Sequence, residues 1–269
     1  MNFIEKLIKA TTTNKSLLCI GLDPDPERMP GKTGVLDFNK AIIDATADLV
    51  CAYKLNLAFY EAMDEGMVDL KRTIKYIPDN IPVIGDAKRG DIGNTARAYA
   101  VALFDNLGVD AATVNPYLGT DSIGPFIQYR NKGIFILCRT SNTGALDFQS
   151  LKCQTERGSR TLFEIVALKA SQWNTYGNVG LVVGATYPEE LKLIRLQHPD
   201  MPLLIPGIGA QGGDLASAVS YGIDARGEKA IINSSRQIIY ASKEKDFAAA
   251  SREVALTLRE QINQYRIKT

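Results

Sequence analysis

Histidine is nearly absent from this chain of 269 residues, in which His198 is the only example. The surrounding residues, Gln197-His198-Pro199-Asp200, predict a surface turn before a strand. Ser-His and Cys-His mechanisms need a histidine beside the nucleophile, so this scarcity argues against both. Any acid–base chemistry in this protein must therefore use lysine and carboxylate side chains.

Cysteine is also scarce, and its spacing carries no metal or disulfide pattern. The four cysteines are Cys19, Cys51, Cys138 and Cys153, and no two of them form a C-x-x-C pair. This distribution argues against a zinc site and against a disulfide framework. We expect buried thiols in a reducing compartment.

The chain has no excess of charge of either sign and no long apolar run. Lysine and arginine number 31 and aspartate and glutamate 30, so the net charge of +1 indicates neither a nucleic-acid nor a membrane-surface partner. No segment is apolar over a length that would span a bilayer, and no signal peptide is predicted. We expect a soluble cytoplasmic protein.

Short apolar segments alternate with helical segments along the whole chain. Eight strands are predicted, at 16–23, 50–56, 81–85, 110–115, 133–140, 179–184, 201–206 and 229–233. Helices are predicted at 1–10, 37–48, 60–75, 95–104, 161–173, 188–196, 215–221 and 245–265, and a polar loop at 141–155. This alternation predicts an α/β fold, a single (β/α)₈ TIM barrel, with one domain over residues 1–269 because no linker interrupts it. In such a barrel the active site lies at the C-terminal ends of the strands.

Charged residues of both signs follow the third predicted strand, in the stretch Asp86-Ala87-Lys88-Arg89-Gly90-Asp91-Ile92-Gly93-Asn94-Thr95. Asp86 and Lys88 are two residues apart, which places them on the same face of a strand. Each then favours the ionised form of the other. Asp91 lies beyond the strand and need not share that face. The alternative interpretation of this pair is a purely structural ion pair at a strand end.

Further polar residues fall at the same predicted barrel mouth. The set is Asp23, Lys54, Asp86, Lys88, Ser141, Gln211 and Arg236. Lys54 lies inside an apolar strand and needs a counter-charge, because an unpaired buried ammonium group is very costly. Asp86 on the next strand is the natural partner. Alternatively, the Lys54 side chain extends to solvent at the strand end.

Two segments near the end of the chain predict a phosphate site. Ile205-Pro206-Gly207-Ile208-Gly209-Ala210-Gln211-Gly212-Gly213-Asp214 follows strand seven, and Asn233-Ser234-Ser235-Arg236 follows strand eight. Backbone N–H groups freed by glycine, together with an arginine, suit a phosphate dianion. TIM barrels often bind phosphate after these two strands. Taken alone, the glycines would equally indicate an ordinary turn.

Taken together, these motifs resemble the orotidine 5′-phosphate decarboxylase family, specifically its longer bacterial branch, the type 2 subfamily. The segment from Asp86 to Ala96 matches the family signature D-x-K-x-x-D-I-x-x-T. The other matching segments are Leu22-Asp23-Pro24, Tyr53-Lys54-Leu55-Asn56, Arg139-Thr140-Ser141-Asn142-Thr143-Gly144 and the two phosphate segments. Extra length at 24–34, at 147–157 and in the final helix distinguishes this chain from shorter relatives.

The resemblance implies decarboxylation of orotidine 5′-monophosphate to uridine 5′-monophosphate, the last step of de novo uridylate synthesis, without a metal or organic cofactor. Lys54, Asp86, Lys88 and Asp91 would form the catalytic array, in which Lys88 protonates C6. The implied substrate-binding residues are Asp23, Ile92, Thr95, Ser141, Pro206, Gln211, Ser235 and Arg236.

The resemblance also implies which part of the substrate each of these residues contacts. Asp23 and Lys54 would bind the ribose, Ser141 the pyrimidine edge, and Gln211 and Arg236 the phosphate. A homodimer is implied, in which Asp91 and Thr95 of one subunit enter the site of the other. Ser235 departs from the pattern, since shorter relatives often have glycine at that position.

Three alternatives stay open at this point. A magnesium-dependent sugar-phosphate lyase of the same barrel superfamily would need a carboxylate ligand where Lys54 stands, and a lysine repels a divalent cation. A Schiff-base aldolase would need a lysine of depressed pKa, whereas flanking carboxylates raise it. An inactive nucleotide-binding regulator would not need the full charged set.

Overall fold

Ten strands are present in the computed structural model of the protein, which describes residues 1–31, 33–156, 158–209 and 212–267. Within those residues the strands are β1 (Leu18–Gly21), β2 (Ala52–Asn56), β3 (Val83–Arg89), β4 (Ala111–Val114), β5 (Gly133–Arg139), β6 (Lys152–Thr155), β7 (Gly158–Thr161), β8 (Val179–Val183), β9 (Leu203–Ile205) and β10 (Ala230–Ser234).

Eight of these strands close into a parallel barrel in the order β1-β10-β9-β8-β5-β4-β3-β2. Their apolar residues are buried on both faces, as parallel strands covered by helices require. The pairing of β2 with β3 brings Lys54 opposite Ile84 and Asn56 opposite Asp86. The predicted (β/α)₈ barrel is confirmed, and its register places Lys54 and Asp86 at the same end.

Helices surround the barrel. They are α1 (Phe3–Thr13), α2 (Val35–Thr46), α3 (Leu57–Glu61), α4 (Gly66–Tyr76), α5 (Gly93–Val101), α6 (Thr120–Ile127), α7 (Leu162–Trp173), α8 (Pro188–Gln197), α9 (Leu215–Gly222), α10 (Arg236–Ile239) and α11 (Phe247–Ile267). A π-helical turn, Ala102–Leu107, continues α5, and a 3₁₀ turn spans Thr143–Asp147. In the described part of the chain, none of the helices has the length and apolar character needed to span a membrane.

The helix predicted at 60–75 is divided into α3 and α4. The break lies at Gly66, where a Cβ atom would be 1.9 Å from the carbonyl oxygen of Tyr60. The Gly66 N–H donates to the carbonyl of Met63 at 3.1 Å, closing a turn between the two helices. Only glycine permits this close backbone approach, so the single helix predicted from periodicity is wrong.

The segment predicted as a polar loop at 141–155 is partly structured. It contains the 3₁₀ turn and β6, which pairs antiparallel with β7 in a hairpin outside the barrel. The residues of both hairpin strands are exposed or half-buried and none is fully buried, so the hairpin gives no apolar pattern. Helix α6 was also missed, because Gly124 and Pro125 inside it predict a turn rather than a helix.

The turn containing His198 is present, but the residue is buried rather than on the surface. Arg195 donates hydrogen bonds to the carbonyls of His198, Pro199, Met201 and Gly222, which hold the turn against the barrel. Burial lowers the pKa of the His198 imidazole, with a smaller contribution from neighbouring arginines. The surface location predicted from the sequence is therefore wrong. The imidazole sits beyond the N-terminal end of β9, at the end of the barrel away from the polar residues.

Helix α1 closes the N-terminal end of the barrel. The Phe3 ring packs edge-on against Phe135, with ring centroids 5.7 Å apart, in a cluster with Leu7 and residues of most strands. A Cβ atom on Gly133 would lie 2.4 Å from the Phe3 ring, so glycine leaves room for it. With this end filled by apolar side chains, the opposite end is left for a polar site.

Replacing Phe3 by alanine should destabilise the protein by about 3 kcal/mol, because it removes a buried ring and leaves a cavity. Urea unfolding measures this as a lower midpoint at unchanged slope. Phe148→Ala is the matched control, because Phe148 is exposed and its loss should have little effect. Equal effects of the two substitutions would contradict the packing role of Phe3.

Candidate active site

Three charged side chains meet at the C-terminal ends of β2 and β3. The Nζ atom of Lys54 lies 3.1 Å from Oδ2 of Asp86, and Nζ of Lys88 lies 2.7 Å from Oδ1 of the same carboxylate. Lys54 is 5% exposed and Asp86 8% exposed. The predicted pairing of Lys54 with Asp86 is present. The alternative interpretation, in which the Lys54 side chain extends to solvent, is wrong.

Thr113 on β4 completes the environment of Asp86. Its hydroxyl donates to Oδ1 of Asp86 at 2.8 Å and accepts a bond from the backbone N–H of Lys88 at 3.0 Å. Oδ1 of Asp86 thus accepts from Lys88 and Thr113, and Oδ2 accepts from Lys54. Sequence reasoning missed Thr113, and the one available signal was a hydroxyl side chain within a buried apolar strand.

The backbone of β3 is irregular at Lys88. Lys88 has φ of +49°, and the pairing of β3 with β4 shifts register between Gly85 and Arg89. The expected regular alternation of Asp86 and Lys88 therefore does not hold, and the ion pair forms on a bulged strand. A left-handed lysine costs on the order of 1 kcal/mol or more and persists only when its surroundings hold it. Here the hydrogen bond to Thr113 and the ion pair to Asp86 hold it.

The electrostatic environment keeps Lys54 and Asp86 ionised. Burial acts to raise the pKa of Asp86, but the charges of Lys54 and Lys88, with hydrogen bonds from Lys88 and Thr113, hold it well below its usual range. Burial acts to lower the pKa of Lys54, but the charges of Asp23 and Asp86 raise it above its ordinary value. At neutral pH Asp86 is therefore a carboxylate paired with the Lys54 ammonium group, and the Lys88 side chain contacts the same carboxylate.

Asp23 extends this set towards the end of β10. Its Oδ1 lies 3.8 Å from Nζ of Lys54 and accepts the backbone N–H of Asn56 at 3.2 Å. Its Oδ2 accepts the hydroxyl of Ser235 at 2.9 Å, and that hydroxyl also contacts the carbonyl of Gly21 at 2.9 Å. The Ser235 side chain thus positions Asp23.

A pocket of about 250 Å³ opens beside Asp23, between the segment after β1 and the ends of β9 and β10. Its lining includes Asp23, Arg28, Pro206, Gly207, Asn233, Ser234, Ser235, Arg236 and Tyr240. The structure thus brings Pro206, Ser235 and Arg236 together, as the sequence predicted for a phosphate site. Gln211, predicted for the same site, lies outside the described residues.

Ser141 follows β5 on the rim of the barrel mouth. The hydroxyl of Thr186 donates to the Ser141 carbonyl at 3.3 Å, and a Cβ atom on Gly184 would lie 2.8 Å from Ser141. The side chain of Gln149 accepts the Thr140 N–H at 2.8 Å. Ser141 is thus held against the segment after β8, and the preceding Thr140 is held by Gln149, but Ser141 does not line the pocket beside Asp23.

Asp91, Ile92 and Thr95 lie apart from the array. They follow the end of β3, where Ile92 is 55% exposed and Thr95 is also exposed. The Asp91 carboxylate accepts the backbone N–H of Ile92 at 2.7 Å, and the structure records no ion pair for it within the described residues. Within one chain, Asp91 is therefore not brought to Lys54, Asp86 and Lys88.

The arrangement suits charge chemistry rather than metal binding. Among the residues that the structure describes, no group of three or more histidine, cysteine, aspartate or glutamate side chains could hold a metal ion. The ammonium groups can stabilise a developing negative charge and supply a proton.

Acid should remove the contribution of Asp86 to stability. Folding lowers the pKa of Asp86. The contribution is therefore fully present above about pH 4, which is near the pKa of an aspartate in the unfolded chain, and it decreases as the pH falls below that value. The difference in unfolding free energy between the wild type and Asp86→Asn should therefore narrow on acidification, as urea titrations at successive pH values would measure. Asp64→Asn, at an exposed position, is the control. A difference independent of pH would contradict the argument.

Comparisons with known proteins agree on one family. The model described as "Orotidine 5′-phosphate decarboxylase / HUMPS family" matches residues 16–252. A protein of Dehalococcoides mccartyi named orotidine 5′-phosphate decarboxylase is 56% identical over 267 residues, covering 99% of each chain. One of the same name from Herpetosiphon aurantiacus is 53% identical, covering 94% of this chain and 95% of that one. The solved structure of Leishmania donovani OMP decarboxylase is 40% identical with a TM-score of 0.86, covering 99% of this chain and 100% of that chain.

Proposed function

The chain belongs to the orotidine 5′-phosphate decarboxylase / HUMPS family, and we propose that the Lys54–Asp86–Lys88 array carries out its reaction. The protein is an enzyme that converts orotidine 5′-monophosphate to uridine 5′-monophosphate with loss of carbon dioxide, as its 50–56% identity to relatives of that name supports. The single observation that carries the proposed mechanism is the buried Asp86 carboxylate held between two lysine ammonium groups.

Lys88 is the proposed proton donor. Loss of carbon dioxide from C6 leaves a carbanion in the plane of the ring, where no π-system delocalises it. An ammonium group beside C6 stabilises that charge as it develops and then supplies the proton. The Lys88 side chain is 48% exposed at the barrel mouth while its Nζ is held by Asp86. It is therefore both accessible to substrate and fixed in position.

Asp86 and Lys54 have supporting roles in this proposal. A carboxylate beside the departing carboxylate of the substrate disfavours the bound ground state relative to the transition state, in which that charge leaves. Lys54 contacts Asp23 and Asp86 and holds both carboxylates in place, and its charge lowers the pKa of Asp86. The same lysine stands where a magnesium-dependent lyase would need a carboxylate, so the lyase alternative is not favoured.

The rest of the substrate is assigned along the barrel mouth. Asp23 and Lys54 bind ribose hydroxyls in this proposal, and Ser141 the pyrimidine edge. The phosphate occupies the pocket lined by Pro206, Ser235 and Arg236, joined by Gln211. No metal or organic cofactor takes part. Phosphate and ribose contacts supply binding energy that can be used at the reacting carbon.

The active form in this proposal is a homodimer. Asp91 and Thr95 reach the neighbouring subunit's site, which accounts for the absence of Asp91 from the array within one chain and for the exposure of Thr95. We also propose that residues 1–269 form a single domain, since barrel strands run from 18 to 234 and helices α1 and α11 pack on the barrel.

Two further assignments belong to the same proposal. The chain is placed in the longer bacterial branch of the family, the type 2 subfamily, because named bacterial relatives match it over 99% of both chains. A cytoplasmic location is supported by four cysteines that form no disulfide.

Lys88→Ala should reduce turnover of orotidine 5′-monophosphate by about 10³-fold or more, because it removes both the proton donor and the charge that stabilises the carbanion. Loss of substrate absorbance measures the rate, and EDTA should leave wild-type turnover unchanged. Lys71→Ala, an exposed lysine on α4, is the control. Turnover of sugar phosphates alone, abolished by EDTA, would favour the lyase. Tight uridylate binding without turnover would favour the regulator.

The shared site can be tested by mixing two inactive variants. Lys88→Ala and Asp91→Ala each disable every site of their own homodimers. A mixed dimer, however, joins the intact Lys88 of one chain to the intact Asp91 of the other at one of its two sites. After subunit exchange at equal amounts, activity should return to about one quarter of the wild type, since about half of the dimers are mixed. Sites confined to one chain would give no recovery.

A further inference from the structure

The pocket proposed for the phosphate contains a second cation that sequence reasoning did not assign. Arg28 lines it together with Arg236 and Ser235. We propose that Arg28 binds the substrate phosphate, so that the extra segment at 24–34 forms part of the substrate site. This inference rests on the proposed function, which places the substrate phosphate in this pocket.

Arg28 is held in place by an aromatic ring. Its guanidinium carbon lies 4.6 Å from the centroid of the Tyr240 ring, within the range of a cation–π contact. A planar guanidinium stacked by its face keeps its edge N–H groups available, and these match phosphate oxygens in pairs. The stacked side chain therefore loses little conformational freedom when an anion binds.

Tyr240 is itself fixed on both sides. Its hydroxyl donates to the Asp23 carbonyl at 2.9 Å and accepts the backbone N–H of Asp25 at 2.7 Å. Its ring stacks on Phe38, with centroids 5.9 Å apart. Because Tyr240 follows α10 directly, it ties the segment carrying Arg28 to the element carrying Arg236.

No carboxylate neutralises Arg28. The structure records no ion pair for Arg28 or Arg236 among the described residues, although Asp23 and Asp25 line the same pocket. Asp23 is engaged by Lys54 and by the Ser235 hydroxyl, and Asp25 accepts the N–H of Glu27 at 3.1 Å. Two unpaired guanidinium groups facing one pocket match the two charges of a phosphate monoester.

An unsatisfied hydroxyl lines the same pocket. Ser234 is 2% exposed, and its Oγ atom has no hydrogen-bond partner within the described residues. A buried polar group without a partner is costly, and a phosphate oxygen in the pocket would provide an acceptor for it. This observation is independent of Arg28 and indicates a hydrogen-bonding ligand at the same place.

Binding of uridine 5′-monophosphate and of uridine, measured by calorimetry, tests Arg28 without relying on turnover. Arg28→Ala should weaken uridine 5′-monophosphate binding by about 10- to 100-fold, the range expected for lost charge-assisted hydrogen bonds. Uridine, which lacks the phosphate, should bind Arg28→Ala as it binds the wild type. The uridine 5′-monophosphate affinity of Arg28→Lys should fall between those of the wild type and Arg28→Ala, because lysine keeps the charge but not the paired donors.

Arg130→Ala is the matched control, because Arg130 stacks on Tyr176 at 4.2 Å and does not line this pocket. Arg130→Ala should leave the affinities for uridine 5′-monophosphate and for uridine unchanged. Arg236→Ala, like Arg28→Ala, should weaken binding of uridine 5′-monophosphate alone. The inference is overturned if Arg28→Ala leaves uridine 5′-monophosphate binding intact, or if it weakens both ligands equally, as a purely structural role would. Selective loss in a protein without decarboxylase activity would support Arg28 and contradict the proposed function.

Discussion

The site depends on one buried carboxylate, that of Asp86. A charge removed from water is stabilised only when opposite charges and hydrogen bonds replace its hydration. Lys54, Lys88 and Thr113 supply these from β2, β3 and β4, so three adjacent strands must hold their positions together. Removing any one of these groups leaves part of the charge uncompensated. The closed barrel provides the rigidity that this arrangement requires.

The same constraint explains the irregular backbone of β3. Regular pleating alone does not account for the position of Lys88, whose left-handed φ coincides with a register shift against β4. Backbone strain of this kind persists only where surrounding contacts hold the residue in its conformation, and such positions occur often in active sites. Fixed ammonium groups that need no reorganisation during the reaction are the main requirement for stabilising a short-lived anion.

The residues that sequence reasoning found are those whose chemistry conflicts with their surroundings. Lys54 could be paired with Asp86 because a lysine within an apolar strand demands a counter-charge. Thr113 could not be found in this way, because threonine is common in strands and causes no conflict. The strands of the barrel were predictable from apolar runs, whereas α6 and the β6–β7 hairpin lack such patterns. Buried His198 was missed because its turn is held by Arg195, whose side chain also binds the carbonyl of Gly222, 27 residues away.

The charged array and the pocket proposed for the phosphate are connected through Asp23. Its carboxylate contacts Lys54 and the Ser235 hydroxyl, and its backbone carbonyl accepts the Tyr240 hydroxyl. Tyr240 in turn orients Arg28. Under the proposed function, a phosphate that ordered this pocket would therefore act on Asp23, which also contacts Lys54. Binding energy from a remote group can raise the rate only if it is used at the reacting centre. This chain of contacts is a physical route by which that can occur, and it passes through a segment outside the barrel strands.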